Sequence, residues 1–269
     1  MLYDIRDANK AACTLERITG VSSDVWLSEA RRNDCADDDK DIGKIITENY
    51  GHIPRVNDLE MIITHVTTSG NGCESILKDG IIELKSAYQK SDSELRNFLE
   101  SKGIDIQLDS NCLTYNGNRY DISYDNRSKS YEPEKKAAQS VGWRFYKDFT
   151  VCGFFSINCK RPYLGYVHRR PEILVNLDNL LKTDLQVDWM QSHQAYEIVF
   201  KAPFRDIVYG GWDDDTEEEK MMLYLTYAYL CVSMGPDTKE VLCKNGVRIS
   251  PDQILECNRF TAWDCKETD

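Results

Sequence analysis

The sequence predicts an α+β fold, with helices and mostly non-βαβ strands mixed along one chain. Three observations carry this expectation. Amphipathic helical stretches alternate irregularly with short apolar or alternating runs of strand character. Asn116-Gly117 sits between alternating residues, the pattern of a two-residue hairpin turn. The composition, 41% hydrophobic and 29% charged over 269 residues, suits a globular chain with one large domain or a core plus an appendage.

Taken in order, residues 1–58 read as polar and helical, an N-terminal cap or a partner-binding segment. Residues 8–18 and 24–32 are short amphipathic helices, 35–41 an acidic connector, and 42–50 a third helix stopped by Gly51 and Pro54. From residue 59 to 269 the pattern changes to a mixed domain. Residues 61–66 are strand-like, and 73–78 form a short helix that Gly80 can close. A longer helix is expected over 86–102, with Leu95, Phe98 and Leu99 on one face, then a half-buried strand over 104–108. The hairpin lies within 113–124, and a helix over 134–149 follows Pro133. Residues 151–157 read as a buried strand. Residues 162–181 read as helical in most of their length, with Pro171 breaking or restarting the helix. A strand at 196–201 precedes a capping box, Thr216 to Glu219, that opens a helix to about Met234. Two strands, 240–244 and 253–257, are expected to close the chain around a turn at Asn245-Gly246.

The bulk numbers exclude several classes. No apolar run approaches the roughly 18 residues that span a bilayer, so no membrane partner is expected. The first residues lack a basic segment followed by an apolar one, so no secretory signal is expected. Ten cysteines are scattered without CxxC or histidine pairing, which argues against zinc and for reduced thiols in a cytoplasmic protein. The net charge of −12 repels phosphate backbones in general. A local basic cluster, Lys160, Arg161, His168, Arg169 and Arg170, runs against that background, and its plain alternative is a solvated helix face. Asp213 to Asp215 are read as a helix start rather than a metal site. Trp189 and His193 fall in a polar loop. No Rossmann, P-loop or nucleophile-elbow motif occurs.

One segment invites a functional reading. His65 ends an apolar strand and meets a turn of hydroxyls and glycines, Thr67, Thr68, Ser69, Gly70, Asn71 and Gly72. Small residues let a ligand approach the backbone, and the imidazole adds a directed hydrogen bond.

His65-Val-Thr-Thr-Ser followed by Cys73-Glu-Ser-Ile-Leu-Lys-Asp-Gly-Ile81 resembles the opening of the ADP-ribosyltransferase fold, nearest in pattern to its DNA-targeting toxin and RNA 2′-phosphotransferase types. Gly153-Phe-Phe-Ser156 resembles that superfamily's glycine–aromatic strand. The resemblance covers about residues 60–260 and implies a split antiparallel sheet, with NAD as substrate. It gives His65 the NAD ribose and Thr67 the nicotinamide pocket, with Phe155 and Ser156 as further NAD-binding residues on the adjoining strand. Tyr166, with Tyr163 as rival, would stack on the nicotinamide. Glu240, with Glu197 as rival, would be the catalytic carboxylate that stabilises the oxocarbenium-like transition state. Arg169 would touch a phosphate. The implied partners are NAD, a protein or nucleic-acid acceptor, and an antitoxin or regulator if the chain is a toxin or defence effector. No arginine-specific Arg-Ser-Glu or Gln-x-Glu motif precedes Glu240, and the phosphotransferase Arg-His-Arg set is not evident. A phosphotransferase, or a non-catalytic binding protein that keeps the fold, is the alternative.

Overall fold

The computed structural model describes residues 1–32, 42–53, 59–124, 132–208 and 216–263. The connector at 35–41, Pro54 and the acids Asp213 to Asp215 lie outside the described residues.

The chain opens with a short strand, β1 (Leu2–Tyr3). Helix α1 (Ala8–Thr19) begins where the Asp7 carboxylate accepts from the Lys10 amide, and ends at left-handed Gly20. Helices α2 (Ser23–Arg32) and α3 (Ile42–Glu48) follow. Strand β2 (Glu60–Ser69) runs three residues past its expected end, so Thr67, Thr68 and Ser69 are strand residues. Helix α4 (Glu74–Asp79) stops at Gly80, whose amide donates to the Ile76 carbonyl. The single helix expected over 86–102 is two, α5 (Leu84–Gln89) and α6 (Glu94–Ser101). Ser93 has extended backbone and caps the second by accepting from the Arg96 amide, which breaks the run.

Strands β3 (Asp105–Gln107), β4 (Cys112–Tyr115) and β5 (Asn118–Asp121) form a three-stranded antiparallel sheet. Its hairpin turns at Asn116 and Gly117, both at positive φ as a type I′ turn requires. Helix α7 (Pro133–Tyr146) has Pro133 in its first turn, and β6 (Cys152–Ser156) follows. Helix then appears only after Pro171, as α8 (Glu172–Leu181). Residues 163–170 make single turns instead, with Tyr166 at φ +53, a value that no α-helix accommodates. Where a polar loop is expected, α9 (Leu185–Ser192) buries Trp189. The remaining elements are β7 (Gln194–Pro203), β8 (Ile207–Val208), α10 (Glu217–Met234), β9 (Lys239–Cys243) and β10 (Ile254–Arg259). The capping box at Thr216 and Glu219 is fully formed. The last two strands are not a hairpin: β9 pairs with β6 and β8, whereas β10 pairs with β7.

The chain divides into two units. The first comprises Met1–His65, Cys152–Pro162 and Val199–Lys244. Its strand order is β7-β2-β6-β9-β8, with β1 parallel to β2. Helices α1, α2 and α3 pack against α10. The Tyr3 ring meets Phe155 and Tyr224, and its hydroxyl donates to the Tyr224 carbonyl over 2.8 Å. The N-terminal helices therefore build this unit's core and do not stand apart as a cap.

The second unit comprises Val66–Val151, Tyr163–Ile198 and Asn245–Asp269. Its core gathers Leu99, Leu113, Ile122, Val141, Phe145, Leu174 and Leu177, from α6, the small sheet, α7 and α8. Arg248 forms an ion pair with Glu83, and Ile81 pairs with Ile249, which fixes the segment after Asn245-Gly246. Together the elements are α+β with antiparallel sheets, as the sequence predicts.

Candidate functional site

In the first unit, β2 and β6 are joined at a single register position, Thr64 opposite Phe154. The backbones approach closely there: a Cβ on Gly153 would lie 2.5 Å from Ile63 Cγ2 and 3.0 Å from the Thr64 carbonyl oxygen. One residue beyond, the His65 ring takes over, with Nδ1 2.8 Å from the Cys152 carbonyl oxygen. A carbonyl can only accept, so Nδ1 carries the proton and donates. Burial lowers the His65 pKa, against the raising effect of that hydrogen bond, so the ring is held neutral. The neutral Nδ1–H tautomer leaves Nε2 as an acceptor, suited to a hydroxyl donor.

The sheet does not bring Glu240 to the same face. Phe154 stands opposite both Thr64 and Glu240, so these three side chains share one face. His65 follows Thr64 along the strand and takes the other. Glu240 is exposed at the second position of β9. Phe155 is a core residue, edge-on to Tyr3 and Tyr224, so its ring is committed to packing. The buried Ser156 hydroxyl donates to the Asp237 carbonyl over 2.5 Å and ties β6 to the segment before β9.

In the second unit, the glycine turn after β2 is already gripped. Glu94, on the first turn of α6, accepts from the amides of Gly70 and Asn71 at 3.2 and 2.9 Å and from the Ser69 hydroxyl. The Ser69 oxygen also accepts from the Cys73 amide at 2.9 Å. The Gly70 and Asn71 amides of this turn are thus held by a carboxylate of the same chain. Thr67 is half-buried. Thr68 accepts from the Trp189 indole N–H at 2.9 Å, and His193 stacks on Trp189 with ring centroids 3.4 Å apart. Burial lowers the His193 pKa. Glu94 and Trp189 were not legible as site residues, because their partners are 24 and 121 residues away.

The second unit also holds the two tyrosines and Arg169. Tyr163 is half-buried and stacks on Trp263, with ring centroids 6.5 Å apart. Tyr166 is 41% exposed, with the Arg169 and Arg170 guanidinium carbons 5.5 and 6.0 Å from its ring centre. Arg170 is tethered, donating to Gln186 and to the Gly165 carbonyl, while Arg169 is exposed. Glu197 is half-buried on β7. Among the described residues no cluster of three or more histidines, cysteines or acids could hold a metal ion, and no helix is long and apolar enough to cross a membrane. No protein family, curated protein or solved structure matches the chain.

Proposed function

We propose that this chain transfers ADP-ribose from NAD to a macromolecular acceptor, on an ADP-ribosyltransferase-like split sheet. The observation that carries the reading is the β2–β6 seam: the register pair of Thr64 with Phe154, followed by the His65 ring bonded to the Cys152 carbonyl. His65 Nε2 would accept from a ribose hydroxyl, the role that the resemblance gives it. In the reaction the bond between ribose C1′ and the nicotinamide nitrogen breaks, and nicotinamide leaves neutral. The acceptor nucleophile bonds to C1′ and passes its proton to a carboxylate or to water. A carboxylate is needed where positive charge develops. Glu240 lies on the face away from His65, so Glu197 stands beside it as an equal candidate. Tyr166 and Arg169 keep the roles of nicotinamide stacking and phosphate contact, each open to its own substitution.

The experiment is nicotinamide release from NAD by the full chain, with single-stranded DNA, RNA or a cell lysate as acceptor. The wild type is expected to release nicotinamide with at least one of them, and His65→Ala to lose that release. Whichever of Glu240→Ala and Glu197→Ala falls by the larger factor, on the order of 100-fold for a lost charge-stabilising group, names the carboxylate. No release with any acceptor, and no NAD-dependent rise in melting temperature, would falsify the reading.

A further inference from the structure

The small sheet of the second unit ends at an open edge. Strand β5 pairs with β4 on one side, and among the described residues no strand lies on its other side. The hairpin decides which backbone groups face that open side. Around a two-residue turn the flanking residues, here Tyr115 and Asn118, form a hydrogen-bonded pair. Such pairs alternate along an antiparallel ladder, so Tyr120, opposite Leu113, also bonds inward. The Ile122 amide keeps the alternation by donating to the Asn111 carbonyl at 2.9 Å. The N–H and C=O groups of Arg119 and Asp121 therefore point away from β4. Asn118, Arg119 and Asp121 are exposed, and the edge opens on a groove of about 440 Å³ lined by Tyr120, Lys135 and Gln139 among others. The Arg119 and Asp121 side chains leave the same face of the strand, being two residues apart. Arg119 Nε donates to Cys112 Sγ, and Asp121 Oδ1 accepts from the Ser123 amide. Neither charge forms an ion pair among the described residues.

We propose that β5 is a docking edge for a second copy of this chain, paired antiparallel about a twofold axis at Tyr120, so that the small sheets of the two copies become continuous. Backbone and charge select the same register. A hydrogen-bonded antiparallel pair needs outward groups on both of its residues. With the axis at Tyr120, Arg119 stands opposite Asp121 of the second copy, and Asp121 opposite its Arg119. Both pairs join outward residues, and each exchanges two main-chain hydrogen bonds. Both also set a guanidinium across from a carboxylate. Tyr120 meets its own copy at a non-hydrogen-bonded position, where Cα atoms approach to about 4.5 Å and aromatic rings pack across the strands. A slip of one residue sets each outward residue against an inward one. A slip of two faces arginine with arginine, or aspartate with aspartate. Charges on a sheet edge ordinarily deter a second chain, but these two are opposite in sign and complement themselves. The contact is isologous, so it closes at two copies. This pairing is independent of the NAD reading.

The test is sedimentation of the full chain over a rising concentration, where the mass is expected to climb from 31.0 kDa toward twice that value. Arg119→Asp alone sets acid against acid at both cross-strand pairs, and Asp121→Arg alone sets base against base. Each should weaken self-association by about tenfold or more. Mixed in equal amounts, the two variants regain opposite charges at both pairs and should associate with each other as the wild type does with itself. Amide exchange reads the same edge without any substitution, and decides if either variant fails to fold. The Arg119 and Asp121 amides should exchange more slowly as the wild-type concentration rises. Those of Asn118 and Tyr120, bonded to β4 at every concentration, should not change. A mass of 31.0 kDa at every concentration up to about 1 mM overturns the proposal. So does self-association untouched by both charge reversals, or amide slowing confined to residues outside β5.

Discussion

At the scale of single residues, His65 shows how one hydrogen bond sets both a strand contact and a ring tautomer. Its Nδ1–H donates to the Cys152 carbonyl on the neighbouring strand. That bond also decides which ring nitrogen is left to accept. The same burial makes the residue a pH element. The folded chain holds His65 below its ordinary value near about 6.5, so the unfolded chain binds more protons around and below that pH. Stability from the neutral ring is therefore complete above the unfolded value and is lost as the pH falls through it toward the lower folded value. Between about pH 7 and pH 5, the wild-type urea midpoint should fall more than that of His65→Gln. His193 shifts in the same direction and remains in both proteins, so the difference isolates His65. Equal pH slopes for the two proteins would remove this role.

At the scale of elements, what the sequence displays and what it conceals divide by range. The Asn116-Gly117 hairpin and the Thr216 capping box are local: each is written in four or so neighbouring residues, and both form as read. The helix over 86–102 divides because Ser93 offers its hydroxyl to the following turn, a signal that the apolar face of Leu95, Phe98 and Leu99 masks. Residues 163–170 fail to be helical because Tyr166 adopts a left-handed conformation, which no periodicity announces. The candidate site is legible in the same partial way. A histidine on an apolar strand is readable, but the face from which Glu240 projects depends on which strand lies beside β9. The Glu94 grip on the glycine turn needs α6 to return to the end of β2. The seam itself makes an element-scale prediction. In Gly153→Ala the new methyl would meet Ile63, itself buried, and the Thr64 carbonyl at the one place where β2 and β6 pair. The expected loss is about 1–3 kcal/mol, the range for overpacking a tight core, measured by urea unfolding. A midpoint unchanged from wild type would mean that the seam opens freely enough to accept a side chain.

At the scale of the whole molecule, charge is the property that the sequence states without help from the fold. Forty-five acidic against thirty-three basic residues leave −12 near neutral pH, and the exposed ion pairs add little, since such contacts are usually worth about 0–1 kcal/mol. A net charge of this size works against the compact state through self-repulsion, and salt shortens its reach, to a Debye length of about 3 Å at 1 M. Raising sodium chloride at pH 7 should therefore raise the urea midpoint, although it weakens individual pairs such as Arg96–Glu100 and Lys102–Asp188. The two contributions have opposite signs, so the experiment decides which dominates, and the surplus of twelve like charges favours repulsion. The diagnostic is a second titration near pH 4.9, the isoelectric point, where the net charge vanishes and the salt-induced rise should shrink or reverse. A rise of equal size at both pH values would assign the effect to salt exclusion from apolar surface instead. The same field bears on the proposed reaction. Against a surface that repels polyanions, a nucleic-acid acceptor would depend on a few exposed cations such as Arg169, and its modification should then respond to salt far more steeply than that of a protein acceptor.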